Sequence, residues 1–181
     1  MMKIKKTASA SITITTTTAV VLAMLFVASG FFGISQRTAF ATSEEEDKCM
    51  DAAKKISDDS DGHASSNVCE IGLARGSPTI KLLGHEANDL TTSEFKYQKA
   101  SASGSDNVLF IAEIQLLQNE VDSVEKSLIN KDWEVTAIHN HELHEDPLMI
   151  FLHAQKSDNL NQLLHDIRDV LKDDTNCDCI T

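Results

Sequence analysis

An α+β fold is what this sequence predicts: an antiparallel sheet with two or three helices, and a ferredoxin-like split βαβ pattern in its C-terminal half. Three features carry that expectation. NVLFIAEIQLL (107–117) is a run of apolar, branched residues bounded by polar ones, as in a central strand. WEVTAIHNH and PLMIFLHAQ alternate with period two and are joined by the short polar stretch HELHED, so they form an antiparallel hairpin. Helical periodicity appears before and after that hairpin. The order from residue 107 is therefore strand, helix, strand, strand, helix, with the helices covering one sheet face.

Taken in order, the chain opens with Lys3, Lys5 and Lys6, followed by the uncharged run AVVLAMLFVASGFFGI (19–34) and by TAFA, with Ala39 and Ala41 at the small positions of a cleavage site. That order is the pattern of a secretory signal peptide over 1–41. An uncleaved N-terminal membrane anchor is the alternative, since the run approaches a spanning length. Either way the remainder is extracellular or in the cell envelope. SEEEDKCMDAAKKIS, from Ser43, carries acids at its start, Lys54 and Lys55 at its end, and Cys49, Met50, Ala53 and Ile56 at helical spacing. DDSDGHASS (58–66) reads as a loop, so 42–66 is an N-terminal helix and loop.

The α+β domain proper spans 67–173. NVCEIGLAR and TIKLLG read as two strands joined by a turn at Gly76–Pro78, and EFKYQKAS as a third. SASGSDN is a loop, and NVLFIAEIQLL follows it as the central strand. Asn119 is placed to cap a helix with Val121, Val124, Leu128 and Ile129 on its inner stripe. Asn159 opens the last helix, with Leu160, Leu163, Leu164, Ile167 and Leu171 facing the core. A cysteine-containing tail, 174–181, ends the chain.

Removing 1–41 takes away four of the 16 basic residues (Lys3, Lys5, Lys6, Arg37) and none of the 28 acidic ones, leaving a net charge of −16. Such a surface repels nucleic-acid phosphates and anionic lipid, which excludes both as partners, and it favours cations. Solubility outside the cell would account for the same charge. All four cysteines, Cys49, Cys69, Cys177 and Cys179, lie in the exported part, where thiols oxidise. A bridge inside Cys-x-Cys is strained, so each tail cysteine is expected to pair upstream. A C-x-C metal site is the alternative.

HNHELHEDPLMIFLH (139–153) holds four of the seven histidines. Strand alternation puts His139 and His141 on one face, together with Trp133, Val135 and Ala137. His153 joins them if the paired residue numbers sum to an even value. Pairing 139 with 153 satisfies this and leaves HEDPL as a five-residue loop. The resulting constellation, H-x-H-x3-E-x7-H, offers His139, His141, His153 and Glu145 as ligands for a divalent zinc, iron, manganese or copper ion. Glu145 is either the fourth ligand or a catalytic general base, and Glu142 and Asp146 are candidate acceptors for ring N–H groups. A proton-transfer cluster without metal, or purely structural histidines, are the competing readings. His144 reads as exposed, His165 as surface, His63 as a loop residue, and His85 with Glu86 as a turn. The letters HNH also name a nuclease motif, which the acidic surface argues against.

EVTAIHNHELHEDPLMIFLH resembles the signature of the LppY/LpqO family, exported proteins of unknown function whose pattern is E-V-T-A-L-H-N-H-x-L-x-E-x-P-R-x-x-F-x-H. IAEIQLLQNEVDSV is similar to the strand and helix start that precede that signature, and NVCEIGLARGSPTIKLLG is a looser match to the family's early strands. His139, Asn140, His141, Leu143, Glu145, Pro147, Phe151 and His153 fit by position. Leu148 stands where arginine is usual. The resemblance covers roughly 50–172 and implies export and a single domain, with no established activity. Three functions follow as expectations. The first is a metal-binding module of the cell surface. The second is a metal-dependent hydrolase or oxygenase-like enzyme. The third is an envelope interaction protein with structural histidines.

Overall fold

The computed structural model describes residues 41–100 and 107–180. The signal-peptide reading, apart from Ala41, and the loop expected over 101–106 lie outside those residues. Helix α1, Ser43–Ile56, is capped by Thr42, one residue before the expected Ser43. The Thr42 hydroxyl accepts the Glu45 N–H at 3.3 Å, and the Glu45 carboxylate accepts the Thr42 N–H at 2.7 Å, a reciprocal box that satisfies two otherwise free donors. The acids of the first turn lie at the positive end of the helix dipole and Lys54 and Lys55 at the negative end. Cys49, Ala52, Ala53 and Ile56 are buried.

The stretch expected to be a loop contains strand β1, Asp61–Ser65, which pairs with β2, Val68–Ala74. Its polar composition disguises it, because only Gly62 and Ala64 face inward. A Cβ on Gly62 would stand 2.5 Å from the Cys49 carbonyl oxygen. The missing side chain is what lets α1 lie on this strand. TIKLLG supplies only β3, Lys81–Leu82, which pairs with β4, His85–Glu86, and not with β2. Next come β5, Thr92–Lys99, and β6, Asn107–Leu117. Helix α2, Val121–Asn130, begins at Glu120, not Asn119; it buries Val124 and Leu128 and leaves Ile129 exposed. Glu120 makes no cap bond because its carboxylate is held by Arg75. Strands β7, Glu134–Asn140, β8, Glu145–Asp146, and β9, Met149–Asn159, precede helix α3, Leu160–Asp174. The Asn159 side chain caps α3 as expected, accepting the Asn161 N–H at 3.0 Å.

Six strands form one sheet in the order β1-β2-β5-β6-β9-β7, and every neighbouring pair is antiparallel. Because β9 lies between them, β6 and β7 run parallel, with α2 crossing from one to the other. That is the split βαβ unit. Phe95, Phe110, Ile114, Leu152 and Ala154 on one face pack with residues of all three helices in the main core. The opposite face carries Glu94, Glu113, His153 and Gln155. At one end of it Met149 and Phe151 join Ile80 and Leu117 in a second, smaller core. There β8 pairs with β3, so part of the expected HELHED loop is a strand of a separate sheet, β4-β3-β8.

Two disulfides close, and one corrects the expected pairing. Cys49–Cys69 ties α1 to β2, whereas Cys177 bonds Cys179 within the tail. In the chain-entropy account the first, with a sequence separation of 20, stabilises by about 3 kcal/mol. The second closes so few residues that its share is roughly half as large. The tail docks by hydrogen bonds instead. Ser77 N donates to Cys177 O at 2.9 Å, Asn176 N to Glu120 Oε1 at 2.7 Å and Ser57 Oγ to Cys179 O at 2.5 Å.

Candidate metal centre

The decisive local feature is a bulge in β7. Val135 pairs with Ala154, but Ala137 pairs with His153, so Thr136 has no partner residue on β9. Paired residues of an antiparallel ladder share a face. Val135 therefore joins Ala154 on the helix side, where Trp133 is also buried. The extra residue reverses the phase, and Ala137 and His139 follow His153 onto the opposite face. The expectation that Trp133, Val135 and His139 share one face is corrected by this irregularity. The expected pairing of 139 with 153 shifts as well: His139 pairs with Phe151 and its sum stays even, so the convergence of the two imidazoles survives.

His139 Nε2 and His153 Nε2 lie 2.8 Å apart. Two N–H groups cannot meet at that distance, so one nitrogen donates and the other accepts. His139 Nδ1 is 2.9 Å from the Asn140 carbonyl oxygen, which only accepts. In the neutral ring that bond assigns the proton to Nδ1 and leaves Nε2 with its lone pair. A backbone carbonyl holding one ring nitrogen while the other faces a ligand is the usual support of a metal-bound histidine. On the far side of His153 stands Glu113, its cross-strand partner on β6, with Oε1 at 3.7 Å from His153 Nε2. The donor atoms of Glu113, His139 and His153 all lie within 4.8 Å of one another.

These separations suit one ion. Ligand atoms ~2.0–2.2 Å from a shared metal stand about 2.9 Å apart at a right angle and about 3.4 Å apart at a tetrahedral one. Two imidazoles and one carboxylate match zinc, iron(II) and their neighbours. Glu113 and His153 are half-buried and His139 is exposed, which leaves further coordination positions open. Glu94 lies opposite Glu113 on β5 and pairs with Lys96 at 3.0 Å. Lys96 holds its proton above the ordinary lysine range, first through its hydrogen bond to Glu94, against some desolvation, with Glu70 and Glu113 adding to the negative field.

The other two expected ligands form a separate pair. His141 Nδ1 is 3.6 Å from Glu145 Oε1, at ion-pair distance. The Glu145 side chain is fully buried; Oε2 accepts the Met149 N–H at 3.3 Å, and Oε1 has no hydrogen-bond partner. The His141 ring stacks on Phe151 with centroids 4.3 Å apart, and His139 lies 6.3 Å from the same ring. Phe151 thus stands between the pair and the three-donor group. Glu113 was missed along the chain; its one signal is a lone acid inside an otherwise apolar strand. Of the remaining histidines, His165 is exposed beside Asp169, and His63 lies on β1, paired with Glu46 at 2.9 Å. His85 and Glu86 are exposed on β4.

No curated protein and no solved structure matches the chain. Residues 51–173 match the model of the DUF1529 family, described as Domain of Unknown Function (DUF1259), and the chain belongs to that family.

Proposed function

We propose that this domain holds a divalent transition metal through His139, His153 and Glu113, and that it does so outside the cytoplasm. The observation that carries the reading is the gathering of three donor atoms within 4.8 Å, with the His139 lone pair already turned toward His153. Binding displaces the proton shared between the two Nε2 atoms. The two closed disulfides support an oxidising compartment, and no helix among the described residues is long and apolar enough to cross a membrane. Within its family we read the chain as an LppY/LpqO-type member, on the strength of the histidine signature.

Zinc binding by the purified protein, measured by titration calorimetry and elemental analysis, tests the site. His139→Ala, His153→Ala and Glu113→Gln each weaken binding by more than ~100-fold, beyond the roughly 10–100-fold that the loss of a supporting residue costs. Equal metal content in wild type and all three variants overturns the proposal. His141→Ala and Glu145→Gln separate this ligand set from the hairpin set His139, His141, Glu145 and His153, because only the latter loses metal with them.

A further inference from the structure

We propose that Glu94 is a fourth ligand of the metal centre, held aside by Lys96 and released when Lys96 moves to Glu70. The inference rests on the ligand set His139, His153 and Glu113 and adds to it a residue from β5. Glu94 pairs with Glu113 across β5 and β6, and Glu113 pairs with His153 across β6 and β9. Paired residues of an antiparallel ladder share a face, so the three form one row across the open side of the sheet. Directly opposed Cβ atoms stand ~4.5–5.5 Å apart. Side-chain rotation alone therefore carries the Glu94 carboxylate to the space beside Glu113.

Lys96 is what holds that carboxylate elsewhere, with its Nζ 3.0 Å from Glu94 Oε2. The two residues are two apart on β5 and so lie on the same face. Their side chains are 44% and 49% exposed. An exposed pair of this kind contributes little, and giving it up lowers metal affinity by about five-fold at most. The lysine also has a second partner within reach. Glu70, exposed on β2, is its direct cross-strand neighbour. Glu94 dominates the negative field at Lys96, and Glu70 and Glu113 add to it. A cavity of about 300 Å³, lined by Glu70, Gly72, Glu94 and Lys96 among others, gives the ammonium room to swing. Gly72 keeps that room open, since nothing lies within 4 Å of where its Cβ would be.

Charge sets the direction of the exchange. A divalent ion on one carboxylate and two neutral imidazoles keeps one positive charge unbalanced. It attracts Glu94 and repels Lys96. Glu94 then takes one of the open coordination positions, Lys96 pairs with Glu70, and no proton changes hands. The centre becomes two imidazoles and two carboxylates.

The full chain loaded with zinc tests this. In its crystal structure a Glu94 oxygen lies about 2.0–2.2 Å from zinc, and Lys96 Nζ stands beside Glu70. Zinc held by His139, His153 and Glu113 with Glu94 still on Lys96 overturns this inference alone. A wild-type chain that takes no zinc overturns both readings. Calorimetry follows the exchange in solution, with circular dichroism to establish folding. Lys96→Met strengthens zinc binding roughly 2- to 5-fold, because Glu94 is already free. Glu94→Gln weakens it by ~10-fold or more. Glu70→Gln weakens it by roughly 2- to 5-fold although Glu70 lies two strands from Glu113, and this effect vanishes in the Lys96→Met background. Equal affinity in wild type and Lys96→Met, or a Glu70→Gln effect that persists without Lys96, leaves Lys96–Glu94 an ordinary surface pair and overturns the proposal.

Discussion

Glu113 occupies the middle of β6, where its neighbours on the same face are Ile111 and Gln115. Half-buried on the polar face, it bears only part of the desolvation cost of a carboxylate. That carboxylate faces His153 across the ladder. Glu120 illustrates a different use of a buried acid. Its side chain and that of Arg75 are 1% and 2% exposed, and Arg75 Nη1 and Nη2 both donate to it, at 2.9 and 2.7 Å. Burial pushes the Glu120 carboxyl up, but the Arg75 hydrogen bonds and the Asn176 and Leu117 N–H groups outweigh it and hold it below the usual carboxylate range. A group depressed in the folded state stabilises above its unfolded pKa, and that contribution disappears as pH falls through the folded value. Glu120→Gln therefore loses about 3–5 kcal/mol at pH 7, since it leaves a buried guanidinium without its counter-charge. The variant also shows a shallower decline in stability below about pH 4 than wild type. Urea unfolding at pH 7 and across the acid range measures both.

At the scale of one strand, the bulge at Thr136 makes a counterintuitive prediction. Deleting Thr136 brings Val135 and Ala137 into consecutive register with Ala154 and His153, so both halves of β7 keep the faces they already have. Stability changes by less than ~2 kcal/mol, and zinc affinity stays within a few-fold of wild type. Deleting Ile138, which pairs with Leu152, moves His139 to the helix side and abolishes zinc binding. Calorimetry on the two deletions, with circular dichroism to establish folding, decides between them. The bulge also explains what reading along the chain could resolve. EVTAIHNH was legible as a strand, and its parity with β9 was left to the ladder. Nothing local marks the one residue at which the alternation slips. Asp61–Ser65 escaped for a related reason: an edge strand that turns Gly62 and Ala64 inward has the composition of a loop.

Over the whole molecule, helices on one face of the sheet leave the other face to carry the polar chemistry. Cys49–Cys69 fastens the first helix to the sheet, so Cys49→Ser/Cys69→Ser lowers stability by roughly 3 kcal/mol. Trp133, the only tryptophan, is buried against Phe110 with centroids 5.6 Å apart and donates to Asp166 at 3.1 Å. Its fluorescence in guanidinium titrations reports that loss. The periodicity of the chain was enough to determine the α+β class and the split βαβ order, because alternation and helical spacing are local properties that burial imposes on any sheet with one covered face; the meeting of His139 with His153 hung on the register of β7 against β9, which the ladder decided. Tertiary structure alone decided that Glu113 completes the three-donor group, that His141 and Glu145 stand apart from it, and that the tail cysteines bond each other. Those outcomes depend on which strand lies beside which and on where one ladder slips by a residue, and long-range pairing of that kind leaves no periodic trace in the sequence.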